Sequence, residues 1–349
     1  MLKNFRFLTS GESHGKCLTG IIEGLPAGFE LDAEEINQEL KKRQAGVGRG
    51  KRMQIESDKV EIKSGVRFGK TTGAPVCLEI QNRDFENWKT ILSASKEDKT
   101  AERAVTCPRP GHADFAGKIK YNLEDLRDVL ERASARKTAM NVAIGAVAKQ
   151  ILKHFDITSE TKILSVHNKT SELEAEILSI TDDSIGGKVQ VTYKNVPVGL
   201  GSYVQWDRKL DGLIAQAVMS VPAVKSVEIG LGCEYEKFLG SEVHDEIYFE
   251  EGFKRKSNNA GGIEGGMSNG EDIIVKAVMK PIPTIKQPLK TIDFATNSQV
   301  EAHYERSDTC AIEACAVVVD NMIACVILDE FLNKFGKDNL KEINYGYKK

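Results

Sequence analysis

Residues 122–155 read NLEDLRDVLERASARKTAMNVAIGAVAKQILKHF. Leu126, Val129, Leu130, Ala133, Met140, Ala143, Val147, Ile151 and Phe155 recur with mostly helical spacing. The spacing predicts one helix of about 30 residues, roughly 45 Å long, begun by Asn122-Leu-Glu-Asp125. A helix that long must run through the middle of the body or along an interface.

The flanking sequence supplies layers to pack on it. Asp32-Ala-Glu-Glu35 reads as a capping box that opens a helix to about Arg43. Segment 59–80, with its β-branched residues and glycine breaks, reads as short strands and turns. Alternation of Val189, Val191 and Tyr193 predicts a strand, and Glu271 to Lys280 another. Asp207 is expected to cap a helix to about Met219, and 311–334 reads as an apolar helix. A faint repeat runs through these elements. Leu25-Pro-Ala-Gly28 and Val196-Pro-Val-Gly199 each precede a helix, and Val60-Glu-Ile62 returns as Val227-Glu-Ile229. Either the chain is built from two related halves, about 1–155 and 156–349, or the short strings match by chance.

Composition narrows the class. Of 349 residues, 41% are hydrophobic and 28% charged, so the chain has ample apolar material for a core. Forty-eight basic against 51 acidic residues leave a net charge of −3, which disfavours a polyanion coat. The N-terminus lacks an unbroken apolar run, so no signal peptide is expected. The best candidate for a membrane span, 314–328, is interrupted by Asp320 and Asn321 and reads as a buried helix. Seven scattered cysteines, never spaced C-x-x-C, predict reduced thiols in the cytoplasm and no metal.

The net charge conceals segregation. Leu40 to Ile55 holds six basic residues and no acid; Ile273 to Ile292 holds four lysines and no acid. Arg103, Arg109, Arg127, Arg132 and Arg136 form a third basic set. Any one run is explained by a solvated face, but three, two of them rich in glycine or proline, suit a focused anion site.

Several motifs bear chemistry. GESHG (11–15) sets His14 between glycines, either as an exposed acid or base or as a turn histidine bonded to backbone. RPGHAD (109–114) offers Arg109 and His112 to one cavity, or simply forms a turn. Arg132 and Arg136, four apart on the expected helix, share a face that serves either a ligand or a helix contact. Residues 261–270 carry five glycines without a P-loop lysine, and their N–H groups can cradle a phosphate or a flavin edge. Asp308 is either a site carboxylate or the cap of the last helix.

Together the motifs resemble the chorismate synthase family. The matching strings are GESHG, Arg43-x5-Arg49, RPGHAD, LERASAR-x-TA (130–139), PAVKSVEIG (222–230), GGIEGGMSNGEDI (261–273), KPIPT (280–284) and RSDTC (306–310). They stand in family order over nearly the whole chain. The resemblance implies an α+β fold, a β-α-β sandwich with internal pseudo-two-fold symmetry, in a single domain over 1–349 and usually a homotetramer. It implies a carbon–oxygen lyase that converts 5-enolpyruvylshikimate 3-phosphate to chorismate and phosphate, the last step of the shikimate pathway. That reaction is an anti-1,4-elimination without net redox change that nonetheless requires reduced FMN. NADPH or an external flavin reductase is the candidate source of the reduced flavin.

The resemblance also implies residue roles. Arg43, Arg49, Arg109 and Arg136, with Arg52 a further candidate, would hold the trianionic substrate. Arg43 and Arg49 also match positions described for NADP binding. His14 would protonate the departing phosphate and Ser13 would steady it. His112 would stabilise the anionic reduced flavin, and Asp308 would assist proton relay at its N5. FMN contacts carry over to Arg132, Ala133, Ser134, Pro222, Ala223, Gly265, Lys280, Pro281, Ile282, Pro283, Thr284 and Arg306. The chain departs from the family pattern at Lys137, where Glu is usual, and at Ala311-Ile-Glu-Ala-Cys315.

Overall fold

In the computed structural model, two four-stranded antiparallel sheets enclose a layer of helices, and residues 2–50, 57–302, 304 and 307–348 are described. The first sheet contains β1 (Arg6–Ser10) and β2 (Cys17–Glu23), followed by α1 (Ala33–Gln44), β3 (Val60–Ser64) and β4 (Val76–Gln81). Next come α2 (Thr138–His154), β5 (Thr158–Val166), β6 (Gly187–Lys194), α3 (Leu210–Met219), β7 (Val224–Ile229), β8 (Ile273–Met279) and α4 (Ile312–Phe335). Strand order is β1-β2-β4-β3 in one sheet and β5-β6-β8-β7 in the other. Each sheet thus runs first-second-fourth-third, with a helix between its second and third strands and a longer helix after its fourth. The repeated strings occupy equivalent places. Gly28 and Gly199 both precede the helix with φ near +84° and +85°, and the Val-Glu-Ile strings lie in the third strands.

The central layer forms because α2 and α4 are apolar on nearly every face. Met140, Ile144, Val147 and Ile151 of α2 are fully buried, as are Ile323, Ile327, Leu328 and Phe331 of α4. The two helices cross closely at Gly145, where a Cβ would lie 2.4 Å from atoms of Asn321. The polar break in α4 has a use. Asp320 pairs with Lys149 at 2.7 Å, Lys149 reaches Glu39 at 3.0 Å, and Asn321 Nδ2 donates to Glu39 at 3.1 Å. α1, α2 and α4 are joined by that buried network. Among the described residues no helix is long and apolar enough to cross a membrane.

The single helix expected over 122–155 is broken. Asn122 closes a preceding helix, Asp114–Tyr121, in the left-handed conformation (φ +52°). Asp125 accepts from the backbone N–H of Arg127 at 2.8 Å and opens a short helix, Arg127–Ala133. Ser134 then leaves the helical region (ψ 144°), a 3-10 turn covers Ala135–Lys137, and α2 begins at Thr138. α2 has 17 residues and spans only about 26 Å. Arg132 and Arg136 therefore do not share a helix face. Their guanidiniums find separate tertiary partners, and those contacts outweigh the local periodicity.

Two capping expectations also change. Asp32 accepts from Glu34 N at 2.7 Å, but its own N–H goes to Gln150 Oε1 at 2.9 Å rather than to Glu35. Asp207 lies in a 3-10 turn, Trp206–Arg208, and α3 starts later, with Leu210 N donating to Gly266 O at 2.8 Å. The glycine-rich segment performs the capping that Asp207 was expected to provide.

Candidate active site

The GESHG loop joins β1 to β2. Gly11 (φ +102°) is needed there, since a Cβ would fall 2.3 Å from Cys17 O. Asn82 Nδ2 donates to Gly15 O at 2.7 Å and to Glu12 O at 3.2 Å, holding the turn shut. Ser13, buried, donates its backbone N–H to Glu131 O at 3.0 Å. Glu131 grips His14 twice: Oε2 accepts from the backbone N–H at 2.8 Å, and Oε1 lies 2.9 Å from ring Nδ1. His14 is thus bonded to a carboxylate. Its ring stacks on Trp88 with centroids 4.1 Å apart and planes 19° from parallel. Arg103 lies over Trp88 at 4.3 Å and Arg127 at 5.2 Å. Burial opposes ionisation of Glu131, but hydrogen bonds and charge from His14, with the charge of Arg127, hold its carboxyl below the usual range.

Asn82 also faces the arginines. Its Oδ1 accepts from Arg136 Nε at 2.9 Å, while Arg136 Nη1 donates to both oxygens of Asp58 at 2.7 Å. Arg43, buried beside them, donates from Nε to Thr138 Oγ1 at 2.9 Å and from Nη2 to Ala135 O at 3.1 Å. Its Nη1 lies 3.7 Å from Asp58, and this buried atom makes no hydrogen bond among the described residues. Arg49 pairs with Asp308 at 3.2 Å, and Asp308 accepts from Gly50 N at 2.6 Å. Asp308 is therefore an arginine partner, and Ala311 takes the cap position of α4. Desolvation pushes the Arg43 guanidinium down to about 9; Asp58 opposes that shift, and Arg136 and Arg49 reinforce it. Among the described residues, three guanidiniums meet two carboxylates in this buried place.

The RPGHAD turn builds a second group. Asp114, fully buried, accepts from Arg109 Nε at 2.9 Å and meets His112 Nδ1. Arg109 Nη1 donates to Thr284 Oγ1 at 3.2 Å, and Lys280 Nζ donates to Gly111 O. The KPIPT segment is thereby docked on the histidine turn. Ala223, held at φ +70°, accepts from Lys280 N at 2.9 Å. Desolvation is opposed and outweighed at Asp114 by His112 and Arg109, which keep its carboxyl well below the usual range. Burial, together with Lys225, lowers the Lys280 ammonium.

The structure thus unites Ser13 and His14 with Arg136 through Asn82, and Arg136 with Arg43 through Asp58; Arg49 and Asp308 pair beside them. It unites Arg109 and His112 with Ala223, Lys280 and Thr284. Helix Asp114–Tyr121 packs on helix Arg127–Ala133, with Gly117 against Val129, so both groups are tied to one short helix. Arg132 donates to Thr9 O at 2.8 Å and to Gly11 O at 3.0 Å, and supports the His14 loop. Ser134 Oγ accepts from Arg136 N at 3.3 Å, following Ala133 at the helix end. Gly265 sits at a hairpin tip between Ile263–Glu264 and Met267–Ser268, beside the start of α3. Arg52 and Arg306 lie outside the described residues. An open cavity of about 580 Å³ borders Asn82 and is lined by Lys16, Arg83, Phe85 and Lys89, but by neither histidine.

Five partners escape the sequence reading: Asp58, Asn82, Trp88, Asp114 and Glu131. Asp114 and Glu131 stand inside matched strings, where the carboxylate beside each histidine or arginine is a usable signal. Asp58, Asn82 and Trp88 carry none, because their partners are distant in sequence.

A family model described as chorismate synthase matches residues 5–332. Chorismate synthase of Thermoanaerobacter pseudethanolicus is 54% identical over 348 residues, covering 98% of this chain and 97% of that protein. That of Aquifex aeolicus is 47% identical, covering 98% and 96%. A crystal structure of chorismate synthase superposes with a TM-score of 0.78 at 39% identity, covering 100% of this chain and 97% of the other. The chain belongs to the chorismate synthase family, with that family's function in the shikimate pathway.

Proposed function

We propose that this chain catalyses the anti-1,4-elimination of phosphate from 5-enolpyruvylshikimate 3-phosphate to give chorismate, as a carbon–oxygen lyase that requires reduced FMN. The observation that carries the reading is the gathering of Arg43, Arg49 and Arg136 around Asp58 and Asp308, with Asn82 bonding both Arg136 and the His14 loop. A buried site in which Arg43 Nη1 has no hydrogen-bond partner among the described residues suits a ligand bearing two carboxylates and a phosphate.

In this reading the arginines bind and orient the substrate, and His14 delivers a proton from its ring to the departing phosphate. Arg132 and Asn82 keep the loop in place. Ser13, at the base of the same loop, steadies the phosphate end. Cations near the second histidine fit a flavin phosphate: Lys280 reaches Gly111 beside His112, and Lys225 lies close enough to lower its ammonium. Lys280, Ala223 and the 280–284 segment would hold FMN, with Pro222 and Gly265 as further contacts. Reduced FMN, when bound, supplies transient electron density to the allylic system and a basic N5 for the C–H proton. His112, paired with Asp114, and Asp308, paired with Arg49, are assigned to holding charge and proton around it.

The chain is further proposed to act as a homotetramer in the cytoplasm, each protomer one unit of two related halves, about 1–155 and 156–349. Its flavin would be reduced by NADPH or by a separate reductase. An anaerobic assay with dithionite-reduced FMN tests the reading: phosphate should be released from 5-enolpyruvylshikimate 3-phosphate. Folded protein that gives no release under those conditions refutes it.

A further inference from the structure

We infer that Glu131 is the positioning residue for His14, setting the ring tautomer so that Nε2 is the nitrogen that exchanges a proton with the substrate. This deepens the proposed acid role of His14 and rests on it.

The geometry carries the inference. One carboxylate takes both the backbone N–H of His14 at 2.8 Å and ring Nδ1 at 2.9 Å, so the side chain is fixed at two points by one group. The Glu131 side chain is only 1% exposed and belongs to a helix, while His14 retains 13% exposure. An ionised carboxylate only accepts hydrogen bonds, so the neutral ring must carry its proton on Nδ1. Nε2 then lies on the opposite edge of the ring. Trp88 closes one ring face at 4.1 Å and is itself held by Asp84, its Nε1 donating to Oδ2 at 3.2 Å.

The charged groups around the pair favour the same state. Arg127 lies 3.5 Å from Glu131 and is anchored by two hydrogen bonds to Arg103 O. Arg103 covers Trp88. Glu131 therefore remains ionised, which the depressed acidity range of its carboxyl also reflects. In the elimination the proton leaves His14 Nε2 for a phosphate oxygen, and the C–O bonding pair departs with the phosphate. The ring left behind is the Nδ1–H tautomer that Glu131 already holds, so no ring rotation or proton shuffle is needed.

A role for Glu131 purely as a loop clamp predicts something different. Glu131→Gln keeps an oxygen for the backbone N–H but loses the charge that dictates the tautomer. The test uses FMN-loaded protein labelled with nitrogen-15 in histidine, the His14 signal being assigned by its loss in His14→Asn. Wild-type protein should show neutral His14 as the Nδ1–H form. In Glu131→Gln the population should shift toward Nε2–H, kcat should fall about 10- to 100-fold and KM should stay within about 3-fold. Glu131→Asp, which keeps the charge, should recover part of kcat. An unchanged tautomer or an unchanged kcat in Glu131→Gln overturns the inference. Should that variant not fold, the wild-type spectrum decides, since an Nε2–H neutral ring also overturns it. Full turnover by His14→Ala would overturn the acid role on which the inference rests, whichever tautomer is seen.

Discussion

Arg136 and Asn82 meet through one hydrogen bond, Nε to Oδ1 at 2.9 Å, and through it the buried arginines are connected to the histidine loop. The other end of the same amide donates to Gly15 O and Glu12 O. A neutral side chain thus sets the distance between the groups that bind anions and the group that donates a proton.

Asn82→Leu should break that spacing. It strands two loop carbonyls and the Nε of Arg136, at a cost of about 1–3 kcal/mol for each buried group left unpaired. A displacement near 1 Å between reacting groups lowers turnover about 100-fold. Urea denaturation and kcat/KM should both fall; wild-type turnover in a destabilised variant would show that the link is structural only.

Asp58 neutralises part of the charge on Arg43 and Arg136 inside the protein. Asp58→Asn leaves those charges buried without their partner, and such changes cost roughly 3–5 kcal/mol. The ligand-free protein should unfold at lower urea. An anionic ligand at 100 times its Kd should restore about 2.7 kcal/mol. Equal midpoints for the two ligand-free proteins would contradict this role for Asp58.

The Glu39–Lys149–Asp320 network predicts an acid-labile centre. Burial raises the Glu39 carboxyl, but Lys149 and hydrogen bonds from Lys42 and Asn321 overcome it and bring it from 4.5 to about 2. The folded value lies below the unfolded one. Its stabilisation, about 3 kcal/mol by linkage, is therefore present above pH 4.5 and is lost as pH falls toward 2. Thermal unfolding between pH 2 and 6 should show that slope in wild-type protein and a shallower one in Lys149→Met. Parallel profiles would remove the network as its source.

Arg132 and Lys280 separate two kinds of cation. Lys280→Ala should reduce the preference for FMN over riboflavin about 10-fold, the effect of one charge-assisted hydrogen bond. Arg132→Ala should leave that preference intact and slow turnover, because its guanidinium serves Thr9 and Gly11. Binding titrations of both flavins distinguish them, and the reverse pattern would return Arg132 to the cofactor phosphate.

Much of the fold is legible locally. A capping sequence places α1, helical spacing the body of α2 and an apolar run α4; alternation places β6, and 271–280 reads as the strand β8, because burial on one face leaves a period in the chain. What local pattern misreads is the break at Ser134. Helical spacing continues through it on both sides, while the cause of the break is distant: Thr9 and Gly11 claim Arg132, and Asp58 and Asn82 claim Arg136. The candidate site divides the same way. Motif strings name both histidines and the arginines, but not the side chains that aim them, save Glu131 and Asp114, which lie within the strings.

By itself, then, the sequence determined the layers, the family and the inventory of charge: a protein of net charge −3 with three basic segments. Only the tertiary structure decided which charges meet. Periodicity records the environment of a face, which is a local property. Pairing of Asp58 with Arg43 and Arg136, of Glu131 with His14, and of Asp308 with Arg49 depends on chain separations of up to 259 residues. No spacing rule spans such gaps, because the packing of the two sheets against their helices brings the partners together.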